Sequence, residues 1–212
     1  MKPDNEHVVE RFFNLPSRSV EQERIHLASG NCADQSGDAL AEHHATEAST
    51  NIAASIETIW LWLSEVPDPE IPVISLVELG VIRNLEWKNG LLLVTITPTY
   101  TGCPANRVIQ QDIAQQLRKN GINLFSLVRQ LSPAWTTNWI SDSGREKLRA
   151  YGIAPPQLSV SGNGPGTSAV SVTCPRCNSV DTRKVSQFGS TPCKASYQCN
   201  KCLEPFDYFK CL

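Results

Sequence analysis

The sequence predicts an α+β fold, a small sheet with helices on one side, followed by a C-terminal zinc-ribbon-like domain built on four cysteines. Three observations predict it. Two segments with apolar residues at helical spacing flank two strand-like runs joined by an Asn-Gly turn. Two C-x-x-C pairs, "CPRC" (Cys174–Cys177) and "CNKC" (Cys199–Cys202), lie near the C-terminal end. Between these parts, residues 153–172 are rich in Pro, Gly and Ser and have no period, so they read as a linker.

Residues 1–50 are expected to be a poorly ordered extension, because small polar residues dominate and apolar periodicity is weak. Cys32 reads as a free thiol there, and His43 and His44 as a solvated pair. Residues 51–152 form the α+β domain. Ile52, Ile56, Ile59, Trp60 and Leu63 predict a helix over 52–65, ended by Pro67. The prolines of "VPDPEIPVISL" then exclude helix. "VIRNLEW" predicts a strand with Val81, Leu85 and Trp87 on one face. "LLLVTIT" is the returning strand, central in the sheet because both faces carry apolar or branched residues. A second helix is expected over 104–119, closed by Gly121. "LFSLVRQL" is a third strand and "SPAWTTNWI" a loop. "SDSGREKLRAYG" is a short helix with a polar start and Gly152 as its stop.

Composition narrows function. The chain has 212 residues, 41% hydrophobic and 19% charged, with a formal net charge of −2. That balance argues against nucleic acid or an anionic membrane as the main partner. No run is apolar enough to span a membrane, and "MKPDNEHVVERFF" lacks the apolar core of a secretion signal. The cytoplasm is the expected location.

Six of the eight cysteines fall in residues 173–212, which argues for metal before disulfide. Two pairs separated by 21 residues can place four thiolates on one zinc ion: Cys174, Cys177, Cys199 and Cys202. Asn178 can adopt the left-handed backbone that such a turn needs. Arg176, Lys194 and Lys201 are available to offset the excess negative charge. A segment of this size rarely buries enough apolar surface to fold without a staple. Cys193 and Cys211 are surplus thiols or additional ligands, the latter admitting an iron–sulfur cluster.

Cys103 stands apart in "TPTYTGCPA". With Pro104 as the first helical residue, Cys103 is expected at the N-cap, where backbone N–H groups and the helix dipole favour thiolate. All four histidines lie in the first fifty residues, which disfavours a Cys–His catalytic pair. Soft-metal or cluster transfer and a structural cap remain. Asp68 and Glu70 of "DPE" are polar neighbours that can orient a group or cap backbone N–H groups.

"VPDPEIPVISLVELGVI" followed by "TPTYTGCPA" resembles the metal–sulfur cluster biosynthesis family, the domain of cytosolic iron–sulfur assembly factors. That family has Asp before Leu-Gly, where Glu78 stands here. The resemblance carries a cluster- or iron-transfer role to Cys103, with Asp68 and Glu70 as its acidic companions. "LSPAWTTNWIS", "REKLRAYGIAPP" and "FGSTPCKASYQCNKCLEPFDYFKC" are similar to the D (also called J) subunits of bacterial phenylacetyl-CoA oxygenase (epoxidase) systems. This second resemblance covers about residues 55–212. It implies an accessory protein of phenylacetate catabolism whose partners are the oxygenase and reductase subunits. It also implies no catalytic constellation of its own, a structural zinc, and transient iron or an iron–sulfur cluster. A resident structural or electron-relay subunit and a nucleic-acid-binding zinc ribbon are the competing expectations.

Overall fold

The computed structural model describes residues 23–25, 54–100, 102–156 and 172–210. Cys32, Cys211 and all four histidines lie outside the described residues.

The first sheet has four strands in the order β1-β4-β3-β2. Strand β2 (Ile82–Lys88) and β3 (Leu91–Ile96) form the expected hairpin. Its turn is Asn89-Gly90, with φ of 51° and 79°, the left-handed pair that a two-residue hairpin requires. Strand β3 is central, as expected. Leu92, Val94 and Ile96 are buried on one face, while Leu91, Leu93 and Thr95 are half-buried on the other. Strand β4 (Phe125–Arg129) runs parallel to β3, joined to it through helix α2 (Asn106–Lys119). The edge strand β1 (Glu23–Ile25) pairs antiparallel with β4. Three residues of the extension expected to lack order therefore complete this sheet.

Helix α1 (Ile56–Leu63) is shorter than its periodicity suggested, because Ser55 caps it by accepting from Thr58 N. It packs against α2, and Gln116 Nε2 donates to the Trp62 carbonyl at 2.9 Å. Ile59 and Leu63 from α1, Ile109, Ile113 and Leu117 from α2, and Leu92, Val94 and Ile96 from β3 share one core.

The segment before β2 folds tightly. Val66 O accepts from Leu76 N, and Asp68 N donates to Ile74 O, both at 2.9 Å. Ser75 and Glu78 cap each other: Ser75 N donates to Glu78 Oε2 and Glu78 N to Ser75 Oγ. Burial raises the proton affinity of Glu78. Lys147 Nζ at 2.7 Å, Ser75 N and the Ser143 hydroxyl outweigh it and hold the carboxyl below its usual range. Helix α3 (Asp142–Tyr151) begins at Ser141, which accepts from Gly144 N, and stops at Gly152 with φ 98°.

The second sheet has the order β5-β8-β7-β6. Strands β6 (Thr182–Ser186), β7 (Lys194–Cys199) and β8 (Pro205–Phe209) form an antiparallel meander. Strand β5 (Ile153–Ala154) pairs parallel with β8, so the first two residues of the segment read as linker belong to this sheet. The two units meet through apolar contact. Cys193 and Phe209 join the first domain's core, and the Phe209 ring lies 5.9 Å from that of Trp135.

Candidate functional site

Two sites built on cysteine stand out, and the fold brings them within one strand of each other. In the tail, the Sγ atoms of Cys174, Cys177, Cys199 and Cys202 all lie within 4.8 Å of one another. Two turns of the same design place them. Cys174 N donates to Ser179 O and Cys199 N to Glu204 O, each five residues on. Asn178 (φ 59°) and Leu203 (φ 64°) take the left-handed backbone that closes each turn. The asparagine was foreseeable; a leucine in this conformation was not.

Cys174 Sγ is 3.8 Å from Cys202 Sγ, and Cys177 Sγ is 3.5 Å from Cys199 Sγ. A tetrahedron with metal–sulfur bonds of about 2.3 Å has edges of about 3.8 Å, whereas a disulfide closes to about 2.0 Å. The donor set therefore fits a single tetrahedral ion. The Cys202 backbone N–H, with that of Lys201, pulls the Cys199 thiol well down, toward the thiolate a metal needs. Lys194 is not near this charge: it is buried and pairs with Asp207 at 3.8 Å. The Arg176 guanidinium lies beside Gly152.

The second site is a cavity of about 10 Å³, the room one water or bare ion needs. Asp68, Glu70, Thr99, Cys103 and Cys193 bring its polar groups, against Ile71, Leu79, Val81, Ile109 and Phe209. Asp68 is buried, and its Oδ1 accepts from Glu70 N at 3.0 Å and Ile71 N at 2.8 Å. Burial nonetheless pushes its pKa up, and the charge of Glu70 adds to this. Glu70 Oε2 lies 3.6 Å from Cys193 Sγ, which also touches Thr191 Oγ1 at 2.9 Å.

Cys103 is not an N-cap. Residues 104–105 form a turn, Ala105 occupies the capping position without a side-chain bond, and α2 starts at Asn106. Its thiol pKa is raised, not lowered. Burial is the chief cause; the Ala105 N–H opposes it, and the charges of Glu70 and Asp68 reinforce it. The thiol is half-buried and opens on the cavity. The Cys193 thiol is pushed up to about 11, first by burial, with Thr191 pulling the other way. The Tyr100 hydroxyl is shielded from solvent without a partner in ordinary hydrogen-bonding geometry. Burial and the nearby charges of Cys103, Glu70 and Cys193 push it up to about 12.

Sequence reasoning thus assembled the tetrad and grouped Cys103 with Asp68 and Glu70. It missed that Cys193 faces Glu70 rather than the tail ligands. The one local signal was that no metal-ligand spacing used Cys193. Cys211 lies outside the described residues.

Comparison with known proteins follows this division. Residues 56–121 match the family model "Iron-sulfur cluster assembly protein", and residues 160–210 match "PaaD zinc beta ribbon domain". A Porphyromonas gingivalis (strain ATCC BAA-308 / W83) "Fe-S protein maturation auxiliary factor" is 31% identical over 94 residues, 43% of this chain and 89% of that protein. A Bacillus anthracis crystal structure of a domain of unknown function, DUF59, aligns with a TM-score of 0.41 at 25% identity, covering 43% of this chain and 89% of its own. The D subunit of 1,2-phenylacetyl-CoA epoxidase from Escherichia coli (strain K12) is 46% identical over 162 residues, 74% of this chain and 93% of that protein. At that identity over nearly the whole of the relative, the chain belongs to the family of phenylacetyl-CoA epoxidase D subunits.

Proposed function

We propose that this protein is an accessory factor of aerobic phenylacetate degradation that supplies iron, or an iron–sulfur cluster, to the phenylacetyl-CoA epoxidase, with the reductase component as client. The observation that carries this reading is the placement of Cys103. In a domain that matches an iron–sulfur assembly model, its thiol opens on a cavity shared with Asp68 and Glu70.

The electrostatics support a cation site. Burial and two neighbouring carboxylates disfavour a free thiolate at Cys103. A metal cation reverses that balance, because it neutralises the charge those carboxylates oppose and displaces the proton. Such a thiol stays protonated and inert until an ion arrives. That behaviour suits a carrier that must accept and release its cargo.

The tail tetrad fits zinc in a structural role. Four thiolates close the coordination sphere and leave no open position for chemistry. Held zinc would supply fixed geometry to the ribbon, whose turns set the positions of β7 and β8. Cys103, Asp68 and Glu70 are assigned to transfer and the tetrad to structure; no residue is assigned to catalysis.

The test is to produce the reductase in cells carrying Cys103→Ala. The purified reductase should be short of iron and sulfide, while the variant itself accumulates and folds normally. A fully loaded reductase from those cells overturns the reading. A second reading, a resident structural or relay component, draws on the exposed Val180, Val185, Phe188 and Leu203 of the ribbon, which offer apolar contact surface. It predicts stoichiometric co-purification with the oxygenase, and a relay also requires visible absorption from iron in the tail. A colourless protein with one zinc excludes the relay.

A further inference from the structure

We propose that Cys103, Cys193 and Glu70 form a second cation site, at the junction of the two domains, for one thiophilic divalent ion. The proposal deepens the transfer reading above and rests on it for the use to which the ion is put.

Three observations converge. Both thiols and both carboxylates line one cavity with room for a single ion. Cys193 and Glu70 already touch, at 3.6 Å, although they come from different domains. Cys193 is also held in place by backbone: its carbonyl accepts from Lys210 N at 3.0 Å, just beyond β8. Two thiolates and a carboxylate make a donor set for a borderline or soft cation, not for magnesium or calcium. Asp68 is already bonded twice through Oδ1 and orients the Glu70 backbone rather than serving as a ligand.

Among the described residues, the tail tetrad is the one group of three or more such ligands whose atoms all lie within 4.8 Å. At least one pair in the cavity is therefore more widely spaced. A single change of rotamer moves a thiol sulfur by about 3 Å, enough to close such a gap. Binding is a proton exchange with no redox step. The divalent ion enters, two S–H protons leave to solvent, two metal–sulfur bonds form, and Glu70 supplies the third ligand. The burial and charge that keep both thiols protonated then favour the bound cation.

The test uses the full chain with zinc in the tetrad and cobalt(II) as the probe, without oxygen. Zinc outranks cobalt at a thiolate site, so cobalt reports sites other than the tetrad. The wild type should bind one cobalt, release two protons and show a sulfur-to-cobalt charge-transfer band. Cys193→Ser should weaken binding at least about tenfold, with the band reduced by about half. Glu70→Gln, on the more exposed side of the cavity, should weaken binding but keep the band, and decides the matter if Cys193→Ser does not fold. Wild-type binding by the folded variants, or no cobalt bound by the wild type, overturns the site. Cobalt held through Cys103 alone also overturns it, while leaving the transfer reading intact. A fully loaded reductase from Cys103→Ala cells overturns the transfer reading whatever cobalt does.

Discussion

Cys193 Sγ lies 3.6 Å from Glu70 Oε2, although 123 positions separate the two residues along the chain. The contact ties the ribbon to the acidic loop of the first domain. It makes the cavity around Cys103 a product of both domains. Cys193 immediately precedes β7, and β7 ends at the tetrad ligand Cys199, so one strand links the two cysteine sites.

Loss of a tetrad ligand should therefore be felt at the cavity. Structural zinc in such a site is worth about 10–16 kcal/mol of apparent binding free energy, more than a unit of this size gains from burial. Cys177→Ser, or strong chelation, should lose the zinc and the ribbon's β signal in circular dichroism. Trp135 fluorescence should change as well, because Phe209 leaves its ring. Unchanged dichroism and emission in metal-free protein would contradict this coupling.

Gly80 should tolerate no side chain. Its φ is 72°, and an added Cβ would meet Trp139 Cβ and O at 2.7 Å. The left-handed conformation alone costs about 1–2 kcal/mol for an L-residue, and the backbone oxygen cannot move aside without disturbing its segment. Gly80→Ala is expected to lower stability by about 2 kcal/mol or more, read as a shift in the urea midpoint. A midpoint equal to that of the wild type would show that the loop shifts freely.

Asp68 should reveal itself by pH. Its folded pKa lies above the unfolded value of 3.8, so the stability linked to its protonation is present below that value. This stability is lost as pH rises through the folded pKa. Asp68→Asn keeps an acceptor for Glu70 N and Ile71 N and removes the buried charge. Its stability relative to wild type should rise between about pH 4 and about pH 7. Asp68→Ala loses both bonds and should cost about 1–3 kcal/mol. Urea midpoints at both pH values measure the two effects; a pH-independent gap between Asn and wild type would refute the burial argument.

Local chemistry was legible where it is self-contained. The spacing of "CPRC" and "CNKC" assembled the tetrad, and Asn89-Gly90, Ser141 and Gly152 marked a hairpin and both ends of α3. The Cys103 environment was not legible, because Pro104 is as compatible with a turn as with a first helical residue. The chain uses it in the turn, and α2 begins two residues later. The sign of the thiol shift then followed from neighbours distant in sequence, above all burial and Glu70. The β5–β8 pairing and the Cys193–Glu70 contact are likewise long-range, set by how the ribbon docks through Phe209 and Trp135. No periodicity or motif within either segment encodes that docking.

Direct handover to an iron-free client tests the central claim most closely. The zinc-loaded chain is charged with iron(II) without oxygen, mixed with iron-free reductase, separated from it, and the reductase iron counted. The account predicts iron gained from the wild type and little gained from Cys103→Ala. Equal iron gained from both proteins would contradict it.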